Sequence, residues 1–559
     1  MDVGEMQTKL RLWAEQDKSK RFYDWGDLLH QDEWIRTAQK HVRQHGGSRT
    51  AGCDGVTMRD FERDLEGNLA KRRKALKGGE FEPQPVRRTY LEEVKAGGRI
   101  KQRPLGIPDI EDRIVQEALR MVLEPSWEAD FSRNSDGFRP NRSTWGAGAS
   151  RGARLTSGQS TGDGWVIEGD IQSFFDTIDH YKLMPLVRKR IKDEKLLDLI
   201  WHFLRAGIME QGRFRHSLLG TPQGGLRSPL LANIYLHELD QSMERYTALP
   251  QRERQRRRYW RLANFLYVRY ADDWVVLCDG TREQAEALRQ DLYEYLRTEL
   301  KLDLSMEKTR VTHVSEGFVF LGYHIERGIG ASGRWVPRIR IPAKAVEKVR
   351  GKIRTALKPN THQDSVGKKS LGLHRIIGGW CRYYQGTSSP SRLFSGLSDE
   401  VYWAMAHWLG RKYKMSTKRG MRRFRGGNTY GTGRTMLTMP SGYEAMRRRV
   451  RATPNPYTSK DATIQREDLD DLGEEWTGNE GRKGQEDRNE VGYQRDQGLC
   501  GICGNFVPWE DADLEHIIPR WRFDPPESGD RLENQQVLHR DPCHKMKTKR
   551  DQQGGRRMP

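Results

Sequence analysis

The four residues Tyr270-Ala-Asp-Asp273 constrain this chain more than any others in it. Two adjacent carboxylates stand at a tight turn, entered by Asn264-Phe-Leu-Tyr-Val-Arg269 and left by Trp274-Val-Val-Leu-Cys278. Runs so rich in Val, Leu, Tyr and Phe read as strands, which puts the acid pair at the tip of a hairpin. Alone, such a pair is a solvated turn. Backed by a third acid from another strand, it can hold two Mg²⁺ ions, which orient and neutralise the attacking and leaving oxygens of a phosphoryl transfer. That third acid is Asp170, at the end of the apolar strand Trp165-Val-Ile-Glu-Gly-Asp170. Asp176 and Asp179 follow closely, and position alone does not exclude them. Both also suit a helix N-terminus, whereas Asp170 lies directly after the strand, where a carboxylate can face the hairpin.

The Asp170 strand, the segment Thr221-Pro-Gln-Gly-Gly-Leu-Arg-Ser-Pro-Leu-Leu-Ala-Asn-Ile-Tyr-Leu236 and the hairpin occur in that order. Around them fall Gly52-Cys-Asp-Gly55, Arg103-Pro-Leu-Gly-Ile-Pro108, Gly137-Phe-Arg-Pro140 with Arg142-Ser143, Glu307-Lys-Thr309 and Phe320-Leu-Gly-Tyr323. With these motifs in register nearly end to end, the chain resembles group II intron-encoded reverse transcriptases and maturases. The resemblance implies Mg²⁺ held at Asp170, Ile171, Asp272 and Asp273, with the three aspartates catalytic. It implies that Phe175 packs beneath the sugar of an incoming dNTP, where a 2′-hydroxyl would clash, and that Gln223 and Gly224 approach the nascent base pair. Lys308 matches a lysine near the triphosphate. Arg113 either helps there or belongs to the charged face of a helix from about Asp109 to Leu123. One stretch departs from the pattern: relatives carry an Ile-Pro-Lys turn where this chain reads Tyr90-Leu-Glu-Glu-Val-Lys-Ala-Gly-Gly-Arg-Ile-Lys-Gln-Arg103. Lys95, Arg99 and Lys101 are all open as the substitute.

Charge agrees with a polyanionic partner. The 559 residues carry a formal net charge of +20, the excess of Lys and Arg expected of a nucleic-acid enzyme rather than of a protein acting on neutral substrates. An anionic membrane is the competing partner, but there is no apolar run long enough to span a bilayer and no apolar signal region at the N-terminus. The reading is therefore a cytoplasmic protein without signal peptide or membrane segment. The basic residues cluster at Arg252, Arg254 and Arg256 to Arg258, between Arg411 and Arg425, and at Arg447 to Arg451. Such runs are often merely solvated faces. The second, however, is interleaved with Trp403, Trp408, Tyr413 and Phe424, which favours phosphate pairing with base stacking.

Beyond the hairpin the pattern turns helical. Ala345, Val346, Val349 and Ile353 fall at helical spacing, and Leu371, Leu373, Ile376, Ile377 and Trp380 form a second stripe running into Trp380-Cys-Arg-Tyr-Tyr384. That last motif looks like the thumb, or maturase, signature of the family. Trp380 and Tyr383 are read as core rather than as RNA-stacking groups. From about Pro454 to Arg488 the chain turns acidic and polar, as a solvated linker does.

After the linker lies a second chemical site. Cys500-Gly-Ile-Cys503 and Cys543 account for three of six cysteines, and this spacing suggests a structural Zn²⁺, with His539 as the best fourth ligand. Within the same stretch, Leu514-Glu-His516, Asn534 and Cys543-His544 fall in an order that resembles the HNH nuclease motif. His516 would then take a proton from the attacking water, Glu515 and Asn534 would bind or orient one divalent cation, and His544 would serve as a further ligand or phosphate contact. A zinc-stabilised DNA-binding knob without catalysis is the simpler alternative.

The expected fold is multidomain α+β. Residues 1–335 form right-hand reverse-transcriptase fingers and palm, and 336–415 a helical thumb, the maturase domain X. Residues 416–490 form a basic DNA-binding segment and acidic linker, and 491–559 a C-terminal ββα-metal HNH module. The resemblance implies a retroelement protein that binds its own group II intron RNA as a ribonucleoprotein and assists its splicing. It would then cut the second strand of double-stranded target DNA and extend the freed end with dNTPs. The alternatives are a splicing-only maturase and a reverse transcriptase of another retroelement class.

Overall fold

Strands form where Val, Ile, Tyr and Phe are densest, and their pairing decides which acids meet. The structure is a computed structural model that describes residues 2–94, 100–147, 164–210, 213–215, 228–305, 308–329, 335–426, 429–432, 435–445 and 455–458, with short stretches at 500–503, 505, 507, 512–516 and 535–539. The chain divides into two units, Met1–Thr458 and Ser459–Pro559.

In the first unit the strands are β1 (Val86–Val94), β2 (Ile100–Ile107), β3 (Trp165–Asp170), β4 (Ile208–Glu210), β5 (Arg213–Arg215), β6 (Phe265–Tyr270), β7 (Asp273–Cys278) and β8 (Arg310–His313). β2-β1-β4-β5 make one four-stranded sheet and β6-β7-β3-β8 another. In the second sheet, successive residues of each strand point to opposite faces, and both faces are covered. Ile167, Tyr267, Trp274 and Val276 enter one core with the helices Val3–Gln16, Asp32–Gln44 and Ile110–Glu128. Val166, Val268 and Val275 enter a second core with the helices Ala343–Ala356, Val366–Tyr384 and Pro390–Lys412. Burial on two sides is why these strands read as near-continuous apolar runs rather than as alternating ones.

The helix expected to end near Leu123 continues to Glu128, passing Pro125. A proline in the last turn costs one hydrogen bond, and burial of the following Trp127 outweighs it. In the helix Val366–Tyr384 the buried stripe is Val366, Leu373, Ile377, Cys381 and Tyr384, while Leu371 stands exposed and is not part of it. Helix Thr417–Phe424 is followed by a small ribbon, β12 (Arg425–Gly426), β13 (Thr429–Thr432) and β14 (Thr435–Met436), preceded in the chain by β9 (Phe318–Phe320), β10 (Tyr323–Ile329) and β11 (Trp335–Arg340). Tyr430 and Leu437 carry the ribbon into the helical core.

Phe320-Leu-Gly-Tyr323 and the motif Trp380-Cys-Arg-Tyr-Tyr384 turn out to be two halves of one joint. Tyr323 stacks on Tyr383 with centroids 5.0 Å apart, and its hydroxyl donates to the Tyr383 carbonyl at 2.9 Å. In return the Tyr383 hydroxyl donates to the Leu321 carbonyl at 2.6 Å and Tyr384 to the Gly322 carbonyl at 3.1 Å. Trp380 packs on Phe394 and Tyr384, in keeping with a core role. Three of the four aromatics of the basic run at 411–425 are likewise occupied within the protein: Trp408 is buried, and Tyr413 and Phe424 stack on one another at 5.0 Å, leaving Trp403 exposed. The expectation that this run offers its aromatics to bases therefore does not hold for the buried Trp408. Among the described residues no helix is long and apolar enough to cross a membrane.

Beneath the hairpin lies a fully buried ion pair. Arg269, the residue before Tyr270, donates through Nε and Nη2 to both carboxylate oxygens of Asp240 at 2.7 and 2.6 Å. Its Nη1 reaches the Asn233 side-chain oxygen at 3.1 Å and the Ala271 carbonyl at 2.9 Å, inside the turn itself. Tyr267 donates to Asp240 from the same strand. Asp240 and Asn233 both lie on the helix Ser228–Thr247, so this network fastens the hairpin to that helix.

Removing one partner of such a pair leaves an uncompensated buried charge. Asp240→Ala should therefore destabilise the first unit by about 3–5 kcal/mol, measured by denaturant unfolding, whereas paired replacement with Asp240→Leu and Arg269→Met should cost much less. Equal losses in the two variants would show that the pair is not held as described.

Candidate active site

Sheet register brings the acids together. Asp170 and Asp273 are direct cross-strand neighbours on antiparallel β3 and β7, and Tyr270 faces Asp273 across the hairpin. Ala271 takes a left-handed conformation (φ 58°) that closes the two-residue turn and leaves Asp272 at its tip. Two glycines permit the approach. A Cβ on Gly137 would lie 2.2 Å from the Ala271 nitrogen, and one on Gly169 would lie 2.1 Å from the Trp274 ring. Gly137-Phe-Arg-Pro140 is thus the strip packed against the acidic turn. Asn233 donates to the Gly137 carbonyl at 2.8 Å, and Arg139 is buried with a bidentate bond to Glu128 and bonds to the Ser132 and Ser135 carbonyls.

The electrostatics are those of a site short of positive charge. Burial, followed by the charges of Asp272 and Asp170, pushes Asp273 up to about 6. Burial and Asp170 raise Asp272 as well, against the opposing pull of Arg103 and Lys308. Lys308 forms an ion pair with Asp170 at 2.5 Å. The three carboxylates nonetheless stand wider than a single-ion cage. Among the described residues, the set whose ligand atoms all lie within 4.8 Å of one another is Cys500, Cys503 and His539. Ile171 follows Asp170 into a bridge with Leu304 that uses the Asp170 carbonyl and the Gln172 amide, so the Ile171 carbonyl is not consumed by it. An Ile can offer a cation only that oxygen.

Phe175 is buried on the short helix Phe174–Thr177, edge-on to Phe138 at 6.2 Å. Asp179 caps the next helix through Tyr181 and Lys182, as a helix-start residue does, and Asp176 lies exposed within the short helix. Arg113 stands apart from the carboxylates. Its guanidinium is buried and donates to the carbonyls of Pro108, Gly47 and Thr50 at 2.7–2.8 Å, a brace rather than part of a charged face. Lys101 lies on β2, while Lys95, Arg99, Gln223 and Gly224 fall outside the described residues. Arg103 was singled out only as part of a motif, yet its charge reaches both Asp272 and Asp176.

In the second unit, β15 (Ala512–His516) pairs with β16 (Gln535–His539) in antiparallel register, His516 opposite Gln535 and Ala512 opposite His539. Cys503 Sγ lies 3.5 Å from His539 Nδ1. Burial pushes the Cys500 thiol up, but the amides of Cys503, Ile502 and His539 outweigh it and bring the group down to about 6, into the thiolate range. Glu515 is half-buried on β15. Asn534, Cys543 and His544 lie outside the described residues.

Residues 94–325 match the family described as reverse transcriptase (RNA-dependent DNA polymerase), and residues 346–426 match the group II intron, maturase-specific domain. Protein YkfC of Escherichia coli (strain K12) is 41% identical over 345 residues, covering 58% of this chain and 89% of that protein. The group II intron-encoded protein LtrA of Lactococcus lactis subsp. cremoris is 36% identical over 344 residues, covering 53% of this chain and 55% of its own length. An uncharacterised 91 kDa protein in the cob intron of Schizosaccharomyces pombe is 31% identical over 340 residues, 40% of that protein. The chain belongs to the group II intron reverse transcriptase/maturase family.

The raised Asp273 carboxyl ties stability and cation binding to pH. A group held above its ordinary value of 3.8 contributes stability while protonated and loses that contribution as pH rises through about 6. A divalent cation competes with that proton. In thermal melts, Mg²⁺ should raise the melting temperature more at about pH 7.5 than at about pH 5, and the difference should shrink in Asp273→Asn. An equal Mg²⁺ effect at both pH values would contradict the assignment.

Proposed function

We propose that this chain is an RNA-directed DNA polymerase that copies group II intron RNA and assists its splicing. The observation that carries the polymerase reading is the direct register of Asp170 with Asp273 beside the Asp272 turn, on a sheet clamped from below by Arg269. Bound there, Mg²⁺ would supply charge neutralisation for the attacking 3′-oxygen and the leaving pyrophosphate. The carboxylates of Asp170, Asp272 and Asp273, with the Ile171 carbonyl, are the ligands. Lys308, which pairs with Asp170, would face the triphosphate. Arg103 joins it from β2. Phe175 excludes a ribose 2′-hydroxyl, and Gln223 with Gly224 shapes the pocket for the nascent pair. On this reading residues 1–335 are fingers and palm, 336–415 the thumb that grips RNA, and 416–490 a DNA-binding segment and linker. The working location is the cytoplasm.

For residues 491–559 the reading is a zinc-stabilised HNH nuclease that cuts target DNA to make the primer. The observed 3.5 Å between Cys503 Sγ and His539 Nδ1 suits two ligands of a tetrahedral Zn²⁺, for which bond lengths imply roughly 3.6 Å. Cys500 and Cys543 complete the set. His516 as general base, Glu515 and Asn534 as cation ligands and His544 rest on motif order.

Asp272→Ala should reduce primer extension on an RNA template by at least ~10³-fold and leave intron RNA affinity within about twofold, because removing a metal ligand spares the binding surface. Extension near the wild-type rate would sink the metal assignment. In the second unit, His516→Ala should abolish second-strand cleavage yet keep bound zinc. Cys503→Ala should lose zinc and unfold the module, since structural Zn²⁺ supplies roughly 10–16 kcal/mol in small zinc domains. Normal cleavage by His516→Ala, or full zinc in Cys503→Ala, would overturn the nuclease or the zinc reading respectively.

A further inference from the structure

The helix Gln251–Tyr259, just before the hairpin strand β6, buries none of its residues. A helix polar on every side contributes nothing to a core and must be held by specific ties. Here Arg254 donates to the Leu249 carbonyl, Arg257 to the Ala263 carbonyl, and Arg258 pairs with Asp279 at 2.9 Å. Asn264 adds a bond from its side chain to the Arg254 carbonyl at 3.1 Å. These ties fix the helix to the far ends of β6 and β7. They leave it crowded with like charge: five arginines against the single Glu253, with Arg252 exposed. Such crowding destabilises the isolated protein and is relieved by a polyanion.

The helix ends in an aromatic platform. Tyr259 is 80% exposed and Trp260 66% exposed, their rings edge to face at 5.3 Å, and Leu262 beside them is also exposed. Large aromatics presented to solvent beside arginines fit unpaired bases on a phosphate backbone, because stacking accepts any base and the guanidinium groups take the phosphates. A fully paired duplex offers no base faces to stack on, except at its ends. The platform is also remote from polymerisation. It adjoins the start of β6, and the Asp272 turn lies at the other end of that strand, roughly 17 Å along it.

We infer that Arg252, Tyr259 and Trp260 form a second nucleic-acid site, separate from the polymerase centre, that captures an unpaired loop of a folded nucleic acid. It rests on the reading above in taking that nucleic acid to be RNA. The full-length chain should be titrated with a fluorescently labelled RNA hairpin bearing an unpaired loop, with the same stem as a closed duplex, and with the DNA form of the hairpin. Combining Tyr259→Ala and Trp260→Ala should weaken hairpin binding by at least ~10-fold while leaving duplex binding and primer extension on a short template within about twofold. Phenylalanine at both positions should restore most of the affinity. The DNA arm identifies the source: a loss confined to RNA assigns the site to intron RNA, and an equal loss on DNA assigns it to single strands of either kind. Unchanged hairpin affinity, an equal loss on the duplex, or failure of the phenylalanine pair to rescue would overturn the site. Primer extension by the wild-type chain reports separately on the polymerase reading.

Discussion

The hairpin that carries the paired aspartates is held by one buried guanidinium. Arg269 fills the space under the turn, bidentate to Asp240 and bonded to the Ala271 carbonyl, with no exposure of either charged side chain. Three carboxylates at one end of the central strands β3 and β7 repel one another, and a two-residue turn by itself would splay to relieve them. The strut prevents this because its own charge is balanced elsewhere, on the helix Ser228–Thr247. The same helix supplies Asn233 to the Gly137 carbonyl, so the strip on the other side of the turn is fixed by the same element. Rigidity beneath the acids is what lets their spacing be set by sheet register rather than by their repulsion.

What that rigidity stores is an unmet demand for positive charge. Asp273 is pushed up to about 6 and Asp272 is raised, while Lys308 leans on Asp170 and Arg103 acts from β2. Each of these cations sits on an element other than the hairpin. The acids thus draw on a cation from the turn before β8 of their own sheet and on another from β2 of the neighbouring sheet. In the second unit, main-chain amides bring the Cys500 thiol toward its thiolate.

Much of this was legible in the sequence for local reasons. The apolar runs around Asp170 and Asp272 became β3, β6 and β7, and the periodic Val346, Val349 and Ile353 became a buried helix stripe, because strand and helix patterns are written over a few residues. Partners distant in the chain were not legible. Arg269 and Asp240 are 29 residues apart, and nothing near either announces the pair. Arg113 illustrates the same limit: a charged residue on a helix looks solvated until the loop at Gly47–Thr50 folds over it. Nor did anything near Tyr413 announce its stack on Phe424 at the far end of the helix Thr417–Phe424. Tyr457, in a stretch read as the start of a polar linker, is instead buried against Glu124 on the helix Ile110–Glu128.

On the proposed function, the aspartate cluster would be a two-ion phosphoryl-transfer site organised by sheet register. Counting ions tests it most directly, with Mn²⁺ followed by electron paramagnetic resonance in the complex of full-length chain, RNA template, DNA primer and a non-incorporable deoxynucleotide. The result expected is two bound ions with the spin coupling of a close pair, reduced to at most one in Asp273→Asn. Two uncoupled ions, or a pair that persists unchanged in Asp273→Asn, would contradict it.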